Sequence, residues 1–96
     1  MAYLTTNFFE GGTADQYRVV LSAAHPNGVL PPGQKYHFSG PTEGGWLVVA
    51  VWDSKESYDH FMSEILMPTL RQVSGGFTGI PQRRDVEDVH ITSASL

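Results

Sequence analysis

The stretch from Gly44 to Ser54, GGWLVVAVWDS, constrains this chain most, because it reads as a β-strand that is apolar on both faces. Strand side chains alternate, so Trp46, Val48, Ala50 and Trp52 project to one side and Leu47, Val49 and Val51 to the other. Both faces have to be covered. A chain of 96 residues with two convincing helices can cover one of them, and the other then calls for a second copy. The expectation is a homodimer whose sheets pack together.

Composition narrows the classes. Residues 1–96 make a single domain, and a chain of this size buries only about two thirds of its unfolded surface, so association would help it. A hydrophobic fraction of 41% and a charged fraction of 17% are those of a folded globular protein. Six basic residues against ten acidic ones give a net charge of -4, and the basic ones are scattered apart from the pair Arg83-Arg84, so nucleic acid is not an expected partner. The absence of cysteine excludes disulfides and thiolate metal sites and makes the cytoplasm the expected compartment. Met1 to Glu10 lacks the basic start and apolar core of a signal peptide, and no apolar run approaches the roughly 20 residues of a membrane span.

Local patterns supply the element order. Ala2 to Phe9 mixes β-branched and aromatic residues before the break at Gly11-Gly12, as a first strand does. Thr13 and Gln16 have the spacing of a capping box, and Tyr17, Val20, Leu21 and Ala24 follow at i, i+3, i+4 and i+7, which predicts a helix ending near Ala24. His25-Pro26-Asn27-Gly28 terminates it. Gln34 to Ser39 alternates as a second strand, with Tyr36 and Phe38 opposite Lys35, His37 and Ser39, and Gly40 to Gly45 is the expected turn. After the two-faced strand, Ser54 caps a second helix whose buried stripe is Tyr58, Phe61, Met62 and Ile65. Pro68 should kink that helix or restart it over Thr69 to Val73. Gly75 to Pro81 reads as a flexible loop, Arg83 to Ile91 as the last strand, and 92–96 as a tail. Strand, helix, strand, strand, helix, strand is the ferredoxin-like α+β order with an antiparallel four-stranded sheet, and right-handed crossovers put both helices on one face.

With this order, and with the junction Val51-Trp52-Asp53-Ser54-Lys55-Glu56-Ser57-Tyr58 followed by Phe61, nearly the whole chain resembles the dimeric α/β-barrel superfamily, and within it the antibiotic-biosynthesis-monooxygenase-like proteins. The resemblance implies a pocket between sheet and helices. It also implies a choice of activities: cofactor-independent oxygenation of aromatic polyketides, polyketide cyclisation, haem degradation, or none. Haem-degrading members carry an asparagine on the first strand, which Asn7 matches, together with a tryptophan and a histidine on the second helix. Here Phe61 stands at the tryptophan position and the residue near Arg71 is not histidine, so that branch is disfavoured.

The candidate site residues follow from placement. His37 alternates away from Tyr36 and Phe38 and would project into the helix-side pocket as a base or hydrogen-bond donor, or else stand half open to water. Asn7, a polar side chain in a β-forming run, either holds a ligand oxygen or bonds neighbouring backbone. Tyr36, Trp46, Trp52, Tyr58 and Phe61 are core or pocket wall, and His60 and His90 are rim or surface residues that could approach the same space. His25 is most simply a helix-terminal residue whose charge suits the dipole. The four histidines stand on four elements without ligand spacing, so no metal is expected. Nucleophile-elbow and phosphate-loop patterns are missing, and Glu87 and Asp88 point to opposite faces. These residues fit an enzyme acting on a small apolar, aromatic or polyketide-like molecule without a cofactor, with His37 and Asn7 as its polar groups. They equally fit a non-catalytic binding or accessory protein.

Overall fold

The structure is a computed structural model that describes residues 2–92 and 94. Its central strand is the two-faced one. Strand β3 (Gly45–Trp52) pairs antiparallel with β1 (Tyr3–Glu10) on one side and with β2 (Gln34–Thr42) on the other, and β4 (Gln82–Val86) completes the order β2-β3-β1-β4. This is the ferredoxin-like sheet expected from the element order.

The β1–β3 register sets Tyr3 opposite Trp52, Thr5 opposite Ala50, Asn7 opposite Val48 and Phe9 opposite Trp46. All of these face the helices. On that side lie α1 (Ala14–Ala24), α2 (Lys55–Phe61) and α3 (Met67–Gln72), and the core packs between them and the sheet around Phe9, Val20, Trp52, Tyr58, Phe61 and Phe77. The other face carries Leu4, Phe8, Leu47, Val49 and Val51 with Tyr36 and Phe38, the last two 54% and 59% exposed and stacked on one another. Among the described residues no helix is long and apolar enough to cross a membrane.

Helix α1 starts where the capping box places it. Thr13 Oγ1 accepts from the Gln16 N–H at 3.2 Å while Gln16 Oε1 accepts from the Thr13 N–H at 3.0 Å. Ser54 caps α2, and the chain then widens into one π-helical turn over Met62–Leu66 before α3. That turn absorbs Pro68, whose ring would strike the carbonyl four residues earlier in a regular α-helix. The break therefore falls before the proline and α3 begins at Met67, two residues ahead of the expected restart.

Four other expectations are corrected. The β2–β3 turn is not Gly40 to Gly45 but the two residues Glu43-Gly44, because β2 continues through Pro41 to Thr42. Proline is tolerated there since β2 is an edge strand and the missing N–H faces outward. Gly44, at φ 86°, makes the tight turn. The last strand stops at Val86 instead of Ile91: Val86 pairs with Leu4, β1 begins at Tyr3, and the ladder has no template beyond it. Val89 keeps one backbone bond to Ala2. The loop after α3 is not simply flexible, because Phe77 is buried at 7% exposure and stacks on Phe9, ring centres 3.9 Å apart. Arg83 is more than a solvated strand start: its guanidinium pairs with Asp85 at 2.6 Å and lies 4.5 Å over the Tyr58 ring. Most of the tail 92–96 lies outside the described residues.

Gly45 occupies a place no side chain can share, since a Cβ there would stand 2.1 Å from the Phe9 carbonyl oxygen. Gly45→Ala should therefore lower stability by about 2–4 kcal/mol, in the range of substitutions that force backbone apart; urea unfolding checks this.

Candidate functional site

The sheet face under the helices is large at both ends and small in the middle. Tyr3 and Trp52 fill one end, Phe9 and Trp46 the other, while the centre carries Thr5, Asn7, Val48 and Ala50. Helices resting on the bulky ends cannot reach the small centre, and close packing fails there. The result is a cavity of about 50 Å³, room for a few water molecules. Its walls are mostly apolar, with Val20, Leu21 and Ala24 from α1, Tyr58 and Phe61 from α2, and Phe77 from the following loop.

Three polar groups from two strands converge on this apolar space. Asn7 stands on β1, 6% exposed; its Nδ2 donates to the Tyr58 hydroxyl at 3.3 Å, and its Oδ1 has no partner. Gln34, at the start of β2 and 8% exposed, also leaves its Oε1 without a partner. His37 Nε2 lies 2.7 Å from the Tyr17 hydroxyl on α1, and its Nδ1 is buried and unpartnered. Buried polar atoms normally find partners, so three unpaired ones around one cavity mark a place where a ligand or water supplies the missing bonds.

His37 points into the helix-side space, as the alternation of β2 requires. Lys35 is a bulge residue, so the alternation holds from Tyr36 onward. Burial, helped by the neighbouring His25, lowers the His37 pKa from 6.5 to about 4. The ring is therefore neutral at pH 7. His25 departs from its expected role as a charged helix terminus: it is 5% exposed, burial lowers its pKa, and its ring meets His37 edge-on at 5.1 Å between centres.

Of the other sequence candidates, Trp52, Tyr58 and Phe61 line the cavity. The Trp52 indole N–H donates to Thr5 Oγ1 at 3.3 Å, which holds both side chains still. Trp46 is buried but stands one layer back, stacked on Tyr17 at 5.1 Å. Tyr36 belongs to the open sheet face, because period-two alternation from the pocket-facing His37 sends it the other way. His60 is exposed on α2, and His90 is exposed beyond the end of β4; neither approaches the cavity. Sequence reasoning missed Gln34, His25, Tyr17 and Phe77. For Tyr17 the signal was present in its place on the α1 stripe; for Gln34 and Phe77 no local pattern announces burial. Among the described residues no three His, Asp or Glu side chains gather as a metal site.

The histidine chemistry predicts a pH dependence of stability. The unfolded chain takes up the His37 proton near 6.5 and the folded chain only near about 4, so the unfolded state binds more protons in between. This stabilisation is complete above pH 6.5 and is lost as pH falls towards 4. The urea midpoint should drop between about pH 7.5 and about pH 5, and His37→Gln should flatten most of that drop, leaving the part due to His25.

No family model and no curated protein matches this sequence. Solved structures do match. A candidate antibiotic biosynthesis monooxygenase from Chloroflexus aurantiacus superposes with TM-score 0.66 at 12% identity, covering 97% of this chain and 98% of that one. A monooxygenase from the gene ActVA-Orf6 of Streptomyces coelicolor, solved with the ligand nanaomycin D, gives 0.59 at 21% identity over 98% and 92% of the two chains. SnoaB, a cofactor-independent oxygenase from Streptomyces nogalater, gives 0.57 at 14% identity over 94% of each. A likeness so complete at such low identity is a likeness of fold: this chain has the ferredoxin-like α+β fold that these monooxygenase structures share.

Proposed function

We propose that this protein oxidises a small hydroxylated aromatic molecule with dioxygen, using no bound metal or organic cofactor, in the cavity between sheet and helices. The observation that carries the reading is the set of unpartnered polar atoms in that cavity. Asn7 Oδ1 and Gln34 Oε1 are acceptors, so they ask for a ligand with O–H or N–H donors. No Lys or Arg lines the cavity, which argues against a carboxylate or phosphate ligand. An aromatic ring bearing hydroxyl groups meets both demands. A cofactor-independent oxygenase and a ligand-bound monooxygenase share the fold, which supports the same reading.

The chain's own groups account for the steps. With its Nε2–H donating to Tyr17, His37 presents Nδ1 as a neutral base. A phenolic proton passes to Nδ1, and the anion formed beside the ring raises the proton affinity of the imidazole by opposite charge. The apolar walls keep the anion poorly hydrated and electron-rich. It gives one electron to dioxygen, the two radicals join at a ring carbon bearing hydrogen, and the resulting peroxide takes the proton back from the His37 imidazolium and loses water. One oxygen atom stays as a new carbonyl and the other leaves with two hydrogens, so the product is a quinone. Asn7, held by Tyr58, orients the substrate hydroxyl.

A second reading is a protein that binds the same class of molecule without turnover. The His37 pKa of about 4, set by burial, favours it, because the imidazole is then only a weak base. Oxygen uptake with a panel of dihydroxynaphthalenes separates the two. The enzyme consumes oxygen and makes quinone, and His37→Ala lowers the rate about 100-fold or more, as for loss of a general base; a binder gives saturable Trp fluorescence changes and no uptake. Product formed without oxygen uptake would point instead to cyclase chemistry.

The open sheet face supports a homodimer as the working form. Leu4, Phe8, Leu47, Val49, Tyr36 and Phe38 form one apolar surface next to one another on three strands, more than a soluble monomer ordinarily leaves uncovered. A second copy of the same face matches it by two-fold symmetry. Native mass spectrometry should show a dimer for the wild type and a monomer for Phe38→Glu, since an unpaired carboxylate inside an apolar interface is strongly disfavoured.

A further inference from the structure

The cavity is too small for its walls' chemistry. Ligand pockets generally enclose about 300–1,000 Å³, and this one offers about 50 Å³. A second, larger hollow of about 440 Å³ lies against it, lined by Glu10, Gly11, Gln16, Thr78, Ile80 and Gln82. Two side chains belong to both linings, Phe9 and Phe77. Phe9 is fixed in the paired strand β1. Phe77 is not on any helix or strand.

We propose that Phe77 is the gate between the outer hollow and the inner cavity, and that small molecules reach Asn7 and His37 when its ring swings off Phe9. This extends the reading of the cavity as a small-molecule site and rests on it for the identity of the traffic. Four observations carry the inference. Phe77 is the one fully buried residue between Ser74 and Ile80, so the ring is what holds that part of the loop to the body. Among the described residues, no backbone hydrogen bond ties Phe77 to Ile80 down. Glycines stand on both sides of the ring, at Gly75, Gly76 and Gly79, and Gly75 has φ 87°, so the backbone can turn where larger residues could not. The ring also has a built seat: a Cβ on Gly12 would stand 2.9 Å from Phe77 Cε1, so this glycine opens the notch in which the closed ring rests. With the ring withdrawn, inner and outer spaces join into a volume of the size that ligand sites have.

The chain has no cysteine, which allows a test that needs no substrate. Ala50→Cys places a single thiol on the cavity floor, where Ala50 is 5% exposed. Its labelling rate with methyl methanethiosulfonate, a small thiol reagent, reports access to the inner cavity in the otherwise intact protein. Added to this background, Phe77→Ala should speed labelling about tenfold or more, and Phe77→Leu should speed it less, as the free energy of local opening falls with the size of the plug. Phe77→Trp should slow labelling. Val51→Cys, buried on the far face of the sheet, controls for global unfolding and should label at the same rate with any residue at position 77. Equal Ala50→Cys rates for Phe, Leu, Ala and Trp would assign access to another wall and overturn the gate. So would acceleration by Phe77→Ala that Val51→Cys matches. A gate seen by thiol labelling, in a protein that neither binds nor oxidises dihydroxynaphthalenes, would leave the gate standing and remove the proposed function.

Discussion

The register between β1 and β3 is the constraint on which the rest of this molecule depends. It brings four large residues together at the two ends of one sheet face and four small ones together at its centre. A slip by one residue would turn every one of these side chains to the opposite face and exchange the pocket floor for Leu4, Phe8, Leu47 and Val51. Gly45 secures the pairing at one end by letting Phe9's carbonyl approach closely. At the other end the Trp52 indole is bonded to Thr5 across the pair. The floor of the cavity is thus a consequence of strand pairing.

What the helices add is polarity of a particular kind. Tyr58 comes down on Asn7 from α2, and Tyr17 reaches His37 from α1. Each hydroxyl satisfies one atom of its partner and leaves the other atom facing the cavity, so the site has hydrogen-bonding capacity with no net charge. Burial keeps both His25 and His37 neutral, and the two rings pack edge to face as aromatic residues would. A site built this way discriminates by hydrogen-bond donors and by shape, and a charged ligand would meet no compensating charge.

Much of this was legible in local pattern. The capping box, the two-faced strand, the α1 stripe and the outward placement of Phe38 all follow from periods of two and 3.6 and from short-range hydrogen bonding, which neighbouring residues decide among themselves. His37 could be placed on the helix side by counting along its strand. Tyr36, one residue from His37, shows the limit of reading aromatics as pocket wall without that counting. The end of β4 was not legible either, because a strand continues only as far as its partner does, and its partner β1 is some 80 residues away in sequence. Arg83 looked like a solvated residue until Asp85 and the Tyr58 ring were found beside it.

The sequence by itself determined the element order, the fold class and the two apolar faces of β3, because each is set by periodicity within a few consecutive residues. Tertiary structure alone decided that Gln34 and His25 join His37 around a cavity, that Phe77 leaves its loop to stack on Phe9, and that His90 and His60 stay in solvent. Those outcomes depend on which distant side chains compete for the same space. Burial, and with it the protonation of the histidines, is a property of that packing and of no single stretch of chain.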